Sequence, residues 1–206
     1  MSPAWPVTLR HGALVLRPLR RRDMSAWNEV QLRNREWLRP WEATTPDGGV
    51  PPSFAQMVAG LRRQAREGRA MPFVVEVEGR LRGQVTVSMI AWGASRSGSV
   101  GYWIDRDVAG QGHVPCAVAL AADHCFDVGL NRLEVNIRPE NGPSLAVVRK
   151  LGLREEGLRG KLLHIDGAWR DHLSFAVTAD EVPEGLHARL HARAVEDRHG
   201  GSATRT

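Results

Sequence analysis

The sequence predicts an α/β domain, and three observations carry that reading. Residues 72–92 and 97–105 read as three consecutive strands, strands and helices alternate after them, and the stretch AGQGHV (109–114) joins a strand to a helix through two glycines. About seven strands are expected. At 206 residues the chain suits one domain with a single sizeable core. Its balance of 42% apolar and 25% charged residues argues against wholesale disorder. The apolar run VPCAVALAA (114–122) falls well short of the roughly 20 residues of a membrane span, so no membrane partner is expected. The start, MSPAWPVTLRHG, has no basic segment followed by an apolar stretch and a cleavage site, which makes the cytoplasm the default location.

Each element has a local cause. Ala13 to Leu19 alternates as a half-buried strand, and Asp23 can cap a helix carrying Met24, Trp27, Val30 and Leu32 or Leu38. Pro40 to Pro52 is rich in proline and glycine and reads as a loop, after which Ser53 starts a second helix ending near Arg66. The run 72–92 gives two strands around a turn at 78–82, and Ser97 to Asp105 a third, which together should form an antiparallel meander. The helix after AGQGHV is expected to reach Val128 with Gly129 as its stop. A strand at Arg132–Ile137 and a helix from Pro143 to Leu151, stopped by Gly152, come next. Leu158–Ile165 and Ala168–Thr178 flank Asp166-Gly167, a sequence that favours a two-residue hairpin turn. Residues 1–186 therefore read as one domain. Residues 187–206 form a basic tail without an apolar face, which reads as a frayed helix passing into disorder.

Three features outside this pattern bear on function. Leu9 to Arg39 holds eight arginines against Asp23, Glu29 and Glu36, a patch that either attracts phosphate or RNA or is simply solvated charge. Cys116 and Cys125 lie nine positions apart on one predicted helix, hence on opposite faces, and read as reduced structural thiols. His187 and His191 stand at i, i+4, but the sequence shows no third ligand, so no metal is expected.

The AGQGHV turn is the main chemical signal. A strand feeding a glycine turn at a helix start aims unpaired N–H groups and the positive end of the helix dipole at one point, which makes an anion site. A plain tight turn is the bland alternative. Two competing phosphate motifs fail: a dinucleotide fingerprint needs glycine where Pro115 stands, and a P-loop needs a Gly-Lys-Ser/Thr run that is absent.

Together with LRPLRRRD (16–23), NREWLRPWEATTP (34–46), RPENGPSLAVVRKLGLREEG (138–157) and IDGAWRDH (165–172), this turn resembles the GNAT N-acetyltransferases, in particular the RimJ/RimL branch that acetylates protein N-termini. The element order is similar over about residues 9–177. The resemblance implies a mixed central sheet with a splayed parallel strand pair, helices on both faces, and acetyl-CoA as cosubstrate. The family's pyrophosphate turn has the form Gln/Arg-x-x-Gly-x-Gly/Ala. Gly112 fills its central glycine and Gly110 its small second place, while Ala109 and Val114 replace the flanking consensus residues, with Arg106 or His113 as compensating candidates.

The same resemblance assigns cofactor contacts to Tyr102, Trp103, Ile104 and Asp105 on the splayed strand, to Ala109, Gly110, Gln111, Gly112, His113 and Val114 in the turn, and to Asn141 and Ser144. Ser144 would hydrogen-bond the departing sulfur, and Glu134 would take the amine proton, unless it is an ordinary strand-edge carboxylate. Trp27, Trp37, Trp41 and Trp103 either wall the acceptor groove or belong to the core. An α-amine, with a reference pKa near 7.7–8.0, is easier to deprotonate than lysine, which favours a protein N-terminus as acceptor, with ribosome attachment through the arginine patch in a monomer or homodimer. Two rivals remain at this point: a small-amine acetyltransferase, which would want an acidic pocket, and a non-catalytic acyl-CoA-binding or RNA-associated module.

Overall fold

The computed structural model describes residues 5–200, with side chains through 195. Its strands are β1 (Leu9–His11), β2 (Leu14–Pro18), β3 (Met71–Val77), β4 (Arg80–Ala91), β5 (Ser97–Ile104), β6 (Arg132–Ile137), β7 (Arg154–Ile165) and β8 (Ala168–Thr178). The helices are α1 (Met24–Arg33), α2 (Arg35–Leu38), α3 (Phe54–Arg66), α4 (His113–Asp127), α5 (Gly142–Leu151) and α6 (Leu186–Gly200). One sheet of eight strands runs in the order β1-β2-β3-β4-β5-β6-β8-β7, with β5 and β6 parallel and every other neighbouring pair antiparallel. The expected count of seven misses β1, a three-residue strand too short to show alternation.

Both faces of the sheet are covered. Phe73, Val75, Val85 and Val87 turn to the main core, where α4 supplies Ala117, Val118, Ala121 and Cys125. The small side chains of α4 let it lie close to the strands. Val74 and Leu81 face the other way, against Leu19, Trp27 and Val30 and against Val58 of α3. Burial pushes the Cys125 thiol up to about 12 and the Cys116 thiol to about 11, so both stay protonated and neither is a nucleophile. Capping follows the sequence closely in two helices. Ser53 accepts from Gln56 N and its own N–H donates to the Gln56 side chain, and Gly152 ends α5 in the left-handed region at φ 67°. Asp166 and Gly167 both take positive φ, 46° and 79°, as a type I′ hairpin requires.

The C-terminal segment departs from expectation. The tail predicted to fray from residue 187 is helix α6 through Gly200, and residues 201–206 lie outside the described residues. Asp123 of α4 accepts from Leu186 N at 2.6 Å and His187 N at 3.1 Å, capping α6 from another helix, and Leu186 is fully buried. Leu190 packs on the same core. Sequence periodicity missed this because only two apolar side chains anchor the helix. Burial, with the neighbouring rings of His191 and His11, holds His187 below the usual histidine range.

The arginine patch is also not what its charge count suggests. Arg17 is buried, bonding both oxygens of Asp23 at 2.8 and 3.0 Å and Glu76 of β3 at 2.7 Å. Arg33 points inward at Asp105, which ends β5 with no exposed surface. That carboxylate also accepts from Arg82 at 2.7 Å and from Asn34 at 2.9 Å, and Asn34 Oδ1 accepts from Arg106 N at 2.9 Å. Burial alone would raise the Asp105 pKa, but these hydrogen bonds bring it down to about 2.

Because the folded value lies below the ordinary aspartate value of 3.8, this group stabilises the fold above about pH 4, and its contribution disappears as the pH falls toward 2. Asp105→Ala should cost about 3 kcal/mol at neutral pH, since it strands two guanidinium groups that are only partly able to rehydrate. A thermal melt should show Tm falling by about 6–12 °C, with the gap between variant and parent narrowing at acid pH.

Candidate active site

Strands β5 and β6 are in register only at Ser97↔Arg132, Gly98↔Leu133 and Ser99↔Glu134. Beyond Ser99 they part, because β5 stays paired to β4 as far as Ile104 and β6 stays paired to β8 as far as Ile137. The facing backbone groups of the wedge are left for water or a ligand. Two cavities enter it. The inner one, about 230 Å³, runs from Tyr102, Trp103 and Ile104 to the turn and the start of α5. The outer one, about 340 Å³, lies between the loop at Leu38–Glu42, the strands, and His172 of β8. They share Leu38, Trp41, Tyr102, Trp103, Asn141 and Ser144, so one passage crosses the sheet.

The inner end of the passage is the anion turn. Gly110 and Gly112 have φ of 78° and 86°, and at neither position would a Cβ meet another atom within 4 Å. The glycines are needed for the backbone conformation, and the space beside them is open for a ligand. Gly112 is the N-cap of α4, and the N–H groups of residues 110–114 have no acceptor among the described residues. The turn starts from the residues that Asn34 and Asp105 hold. On its outer side Gln111 donates to Asp107 O at 3.3 Å.

At the crossing, Asn141 caps α5 by accepting from Ser144 N at 3.1 Å. The Tyr102 hydroxyl donates to the Ser144 carbonyl at 3.3 Å, and burial pushes the phenol well above its ordinary range, so it stays a donor. The Ser144 hydroxyl is also hydrogen-bonded to the Tyr102 side chain, so the two hydroxyls stand together at the crossing. Trp103 stacks edge-on against buried Trp27, at 5.4 Å between centroids, and bonds Gln84. Trp37 and Trp41 form the opposite wall, beneath the guanidinium groups of Arg106 and Arg138 at 5.9 and 5.4 Å.

At the outer end, His172 is only 3% exposed. Its Nδ1 lies 3.0 Å from the Arg170 carbonyl, which can only accept, so Nδ1 carries the proton and Nε2 is left as the acceptor. Burial lowers the His172 pKa despite that hydrogen bond, which keeps the ring neutral at ordinary pH.

The structure gathers most of the expected residues and displaces three. Tyr102, Trp103, Ile104, Ala109, Gly110, Gly112, His113, Val114, Asn141 and Ser144 all line the inner cavity. Asp105 does not; it is buried behind the wall as an anchor. Gln111 lies on the far side of the turn. Glu134 stands at the closed end of the wedge, outside both cavities, bonded to Arg132 at 3.0 Å and Arg159 at 2.9 Å. Of the four tryptophans, Trp27 belongs to the second core. Two lining residues escaped the sequence reading. His172 alternates with exposed Asp171 and shares its inward phase with Ser174, a period-2 signal that was present. Lys150, one of only two lysines in the chain, lines the inner cavity on the last turn of α5 and places a cation there that Ala109 does not.

The family model for the acetyltransferase (GNAT) domain matches residues 13–154. The chain is 28% identical over 183 residues to the ribosomal protein uS5-alanine N-acetyltransferase of Escherichia coli, covering 87% of this chain and 94% of that relative. It is 35% identical over 99 residues to the probable N-acetyltransferase YjcK of Bacillus subtilis, a match to 48% of this chain and 55% of that relative. The solved structure of Mycobacterium smegmatis RimJ in complex with CoA-disulfide is 42% identical, with a TM-score of 0.87, covering 94% of this chain and 98% of that one. The passage through the splayed strands is thus found in a chain whose sequence and fold agree with one family throughout, and the protein belongs to the GNAT acetyltransferases.

Proposed function

We propose that the protein transfers an acetyl group from acetyl-CoA to the N-terminal α-amine of a protein, of the ribosomal kind that the Escherichia coli relative's name specifies, by direct attack within one ternary complex. The observation that carries this reading is the continuous passage through the sheet, with an anion turn at one end and a buried neutral histidine at the other. Acetyl-CoA supplies an already activated thioester. The residues present fit it: free N–H groups at 110–114 and the cation of Lys150 suit its phosphates, and the unpaired edges of β5 and β6 suit its amide-bearing arm. Edge N–H groups of β5 beyond Ser99 can also polarise the acetyl carbonyl.

The chemistry then needs two proton positions. As the amine nitrogen bonds to the acetyl carbon and the C–S bond breaks, the amine must lose a proton and the sulfur must take up the electron pair. His172 Nε2 accepts the first proton, directly or through one water, and the Ser144 hydroxyl, beside the Tyr102 phenol, donates to the thiolate. Glu134, paired with two arginines, serves to clip β6 to β7. The acceptor side favours a single amine over a polycation. Asp105, Asp107, Glu134 and Glu140 each have an arginine partner, and Glu42 is the one acid lining the outer cavity. Its other polar residues, Gln84, Thr86, Ser88 and Asn136, suit an extended peptide backbone.

The deciding assay offers acetyl-CoA together with alanine- and serine-starting peptides, polyamines and aminoglycosides, with products read by mass spectrometry. Acetylated peptide N-termini are expected, and acetylation confined to the small amines would overturn the acceptor. Gly112→Val forces a β-branched residue to φ 86°, so CoA affinity by calorimetry should fall at least ~10-fold while the melt shows a folded protein. His172→Gln should lower the rate by about 10²–10⁴-fold at neutral pH. That deficit should persist through the ordinary histidine range and shrink only at more acid pH, since burial lowers the pH at which the parent's imidazole protonates. The deficit of Ser144→Ala should stay constant over the same range. A parent-like rate for His172→Gln at neutral pH would remove it as the base.

A further inference from the structure

Three imidazoles from opposite ends of the chain meet far from the acetyl-transfer chemistry. His11 ends β1, while His187 and His191 lie one turn apart on the same face of α6. The Nε2 atoms of His187 and His191 are 3.1 Å apart. The His11 ring centroid lies 4.5 Å from that of His187 and 5.0 Å from that of His191. One nitrogen from each ring falls within 4.8 Å of the other two.

Tetrahedral zinc with Zn–N bonds of 2.0–2.1 Å sets its ligand nitrogens about 3.3 Å apart. The α6 pair already has that spacing. His11 is exposed at a hairpin end, where its ring is free to turn toward the pair. Asp123, the carboxylate whose charge acts on His187, is committed through both oxygens to the Leu186 and His187 N–H groups. The donor set is therefore three imidazole nitrogens with a fourth position left for water. That set suits a borderline transition metal and not magnesium or calcium, which take oxygen ligands. Arg149, Lys150 and Arg193 line the groove next to His11 and His191, and their charge favours a hydroxide or other anion in the fourth position.

We propose that His11, His187 and His191 bind one divalent transition-metal ion of the zinc type, which ties the N-terminal hairpin to the C-terminal helix. The sequence shows the α6 pair but not its third member, because His11 is 176 positions away from His187 and only the packing of α6 beside β1 unites them.

The test uses the full chain without a histidine tag, freed of metal by chelator. Calorimetry should show one zinc per chain, and cobalt should give the visible absorption bands of a tetrahedral nitrogen site. His11→Gln, an exposed change that leaves the core intact, should weaken zinc binding at least ~10-fold and abolish those bands. Saturating zinc should raise the parent's Tm by about 5 °C or more, reversibly with EDTA, and should leave His11→Gln unmoved. The proposal is overturned if the parent binds no zinc at about 10 µM, or if His11→Gln and His191→Gln both bind it as the parent does. Should His191→Gln fail to fold, His11→Gln and the parent's chelator-reversible Tm still decide.

Discussion

A carboxylate with no exposed surface sits where the fifth strand ends, and the rest of the site follows from satisfying it. An unpaired Asp105 would cost several kcal/mol in so dry a place. Its three partners come from two elements: Arg33 and Asn34 from the end of the first helix and Arg82 from the neighbouring strand. Meeting all three fixes that helix against the sheet. Asn34 then spends its remaining oxygen on the Arg106 N–H, which sets the first residue of the segment leading to the glycine turn. The direction in which the N-terminus of α4 points is thus decided by a hydrogen-bond network that never touches the passage itself.

The same division between support and surface explains the wedge. Two parallel strands that begin in register would normally continue, and here each is held by a stronger claim on its other edge. The fifth strand follows the fourth, and the sixth follows the eighth residue for residue. Glu134, with Arg132 and Arg159, ties the closed end to the terminal hairpin, while Arg138 reaches across to the Pro40 carbonyl and to Trp41 at the open end. The opening is therefore bounded on both sides by arginine contacts. Docking of the hairpin onto the loop through Thr44 and His164 closes the outer cavity from above.

Much of this was legible in the sequence, for reasons that differ by residue. Ser53, Gly152 and Asp166-Gly167 were readable because capping and turn chemistry are local. Gly110 and Gly112 were readable because positive φ at a helix start leaves few other residues to choose. Asp105 was placed on the right strand but given the wrong neighbours, since strand alternation says nothing about arginines that lie 72 and 23 positions away. The two arginine partners of Glu134 were hidden for the same reason: its charge was visible and they were not. The docking of helix α6 was not legible because its cap, Asp123, belongs to another helix, so no local signal marks its start.

The arginine-rich N-terminal part shows where counting charges stops being informative. Arg17 closes a buried three-way contact with Asp23 and Glu76, and Arg33 holds Asp105, so two of the eight charges build the interior. Arginine suits this work because its planar fork can satisfy several acceptors at once while remaining ionised, which the bidentate Arg17–Asp23 contact uses. A lysine at position 17, a single point donor, could not bridge both Asp23 oxygens and reach Glu76 as this guanidinium does. The charge excess is thereby reduced to residues that do face water, such as Arg10, Arg20, Arg21, Arg22 and Arg35. These lie on the first strand, in the turn before the first helix and just after that helix, away from the side chains that line the passage. Their field can influence how an anionic partner approaches, but the shape of the site depends on arginines that bond inward, as Arg33 does to Asp105.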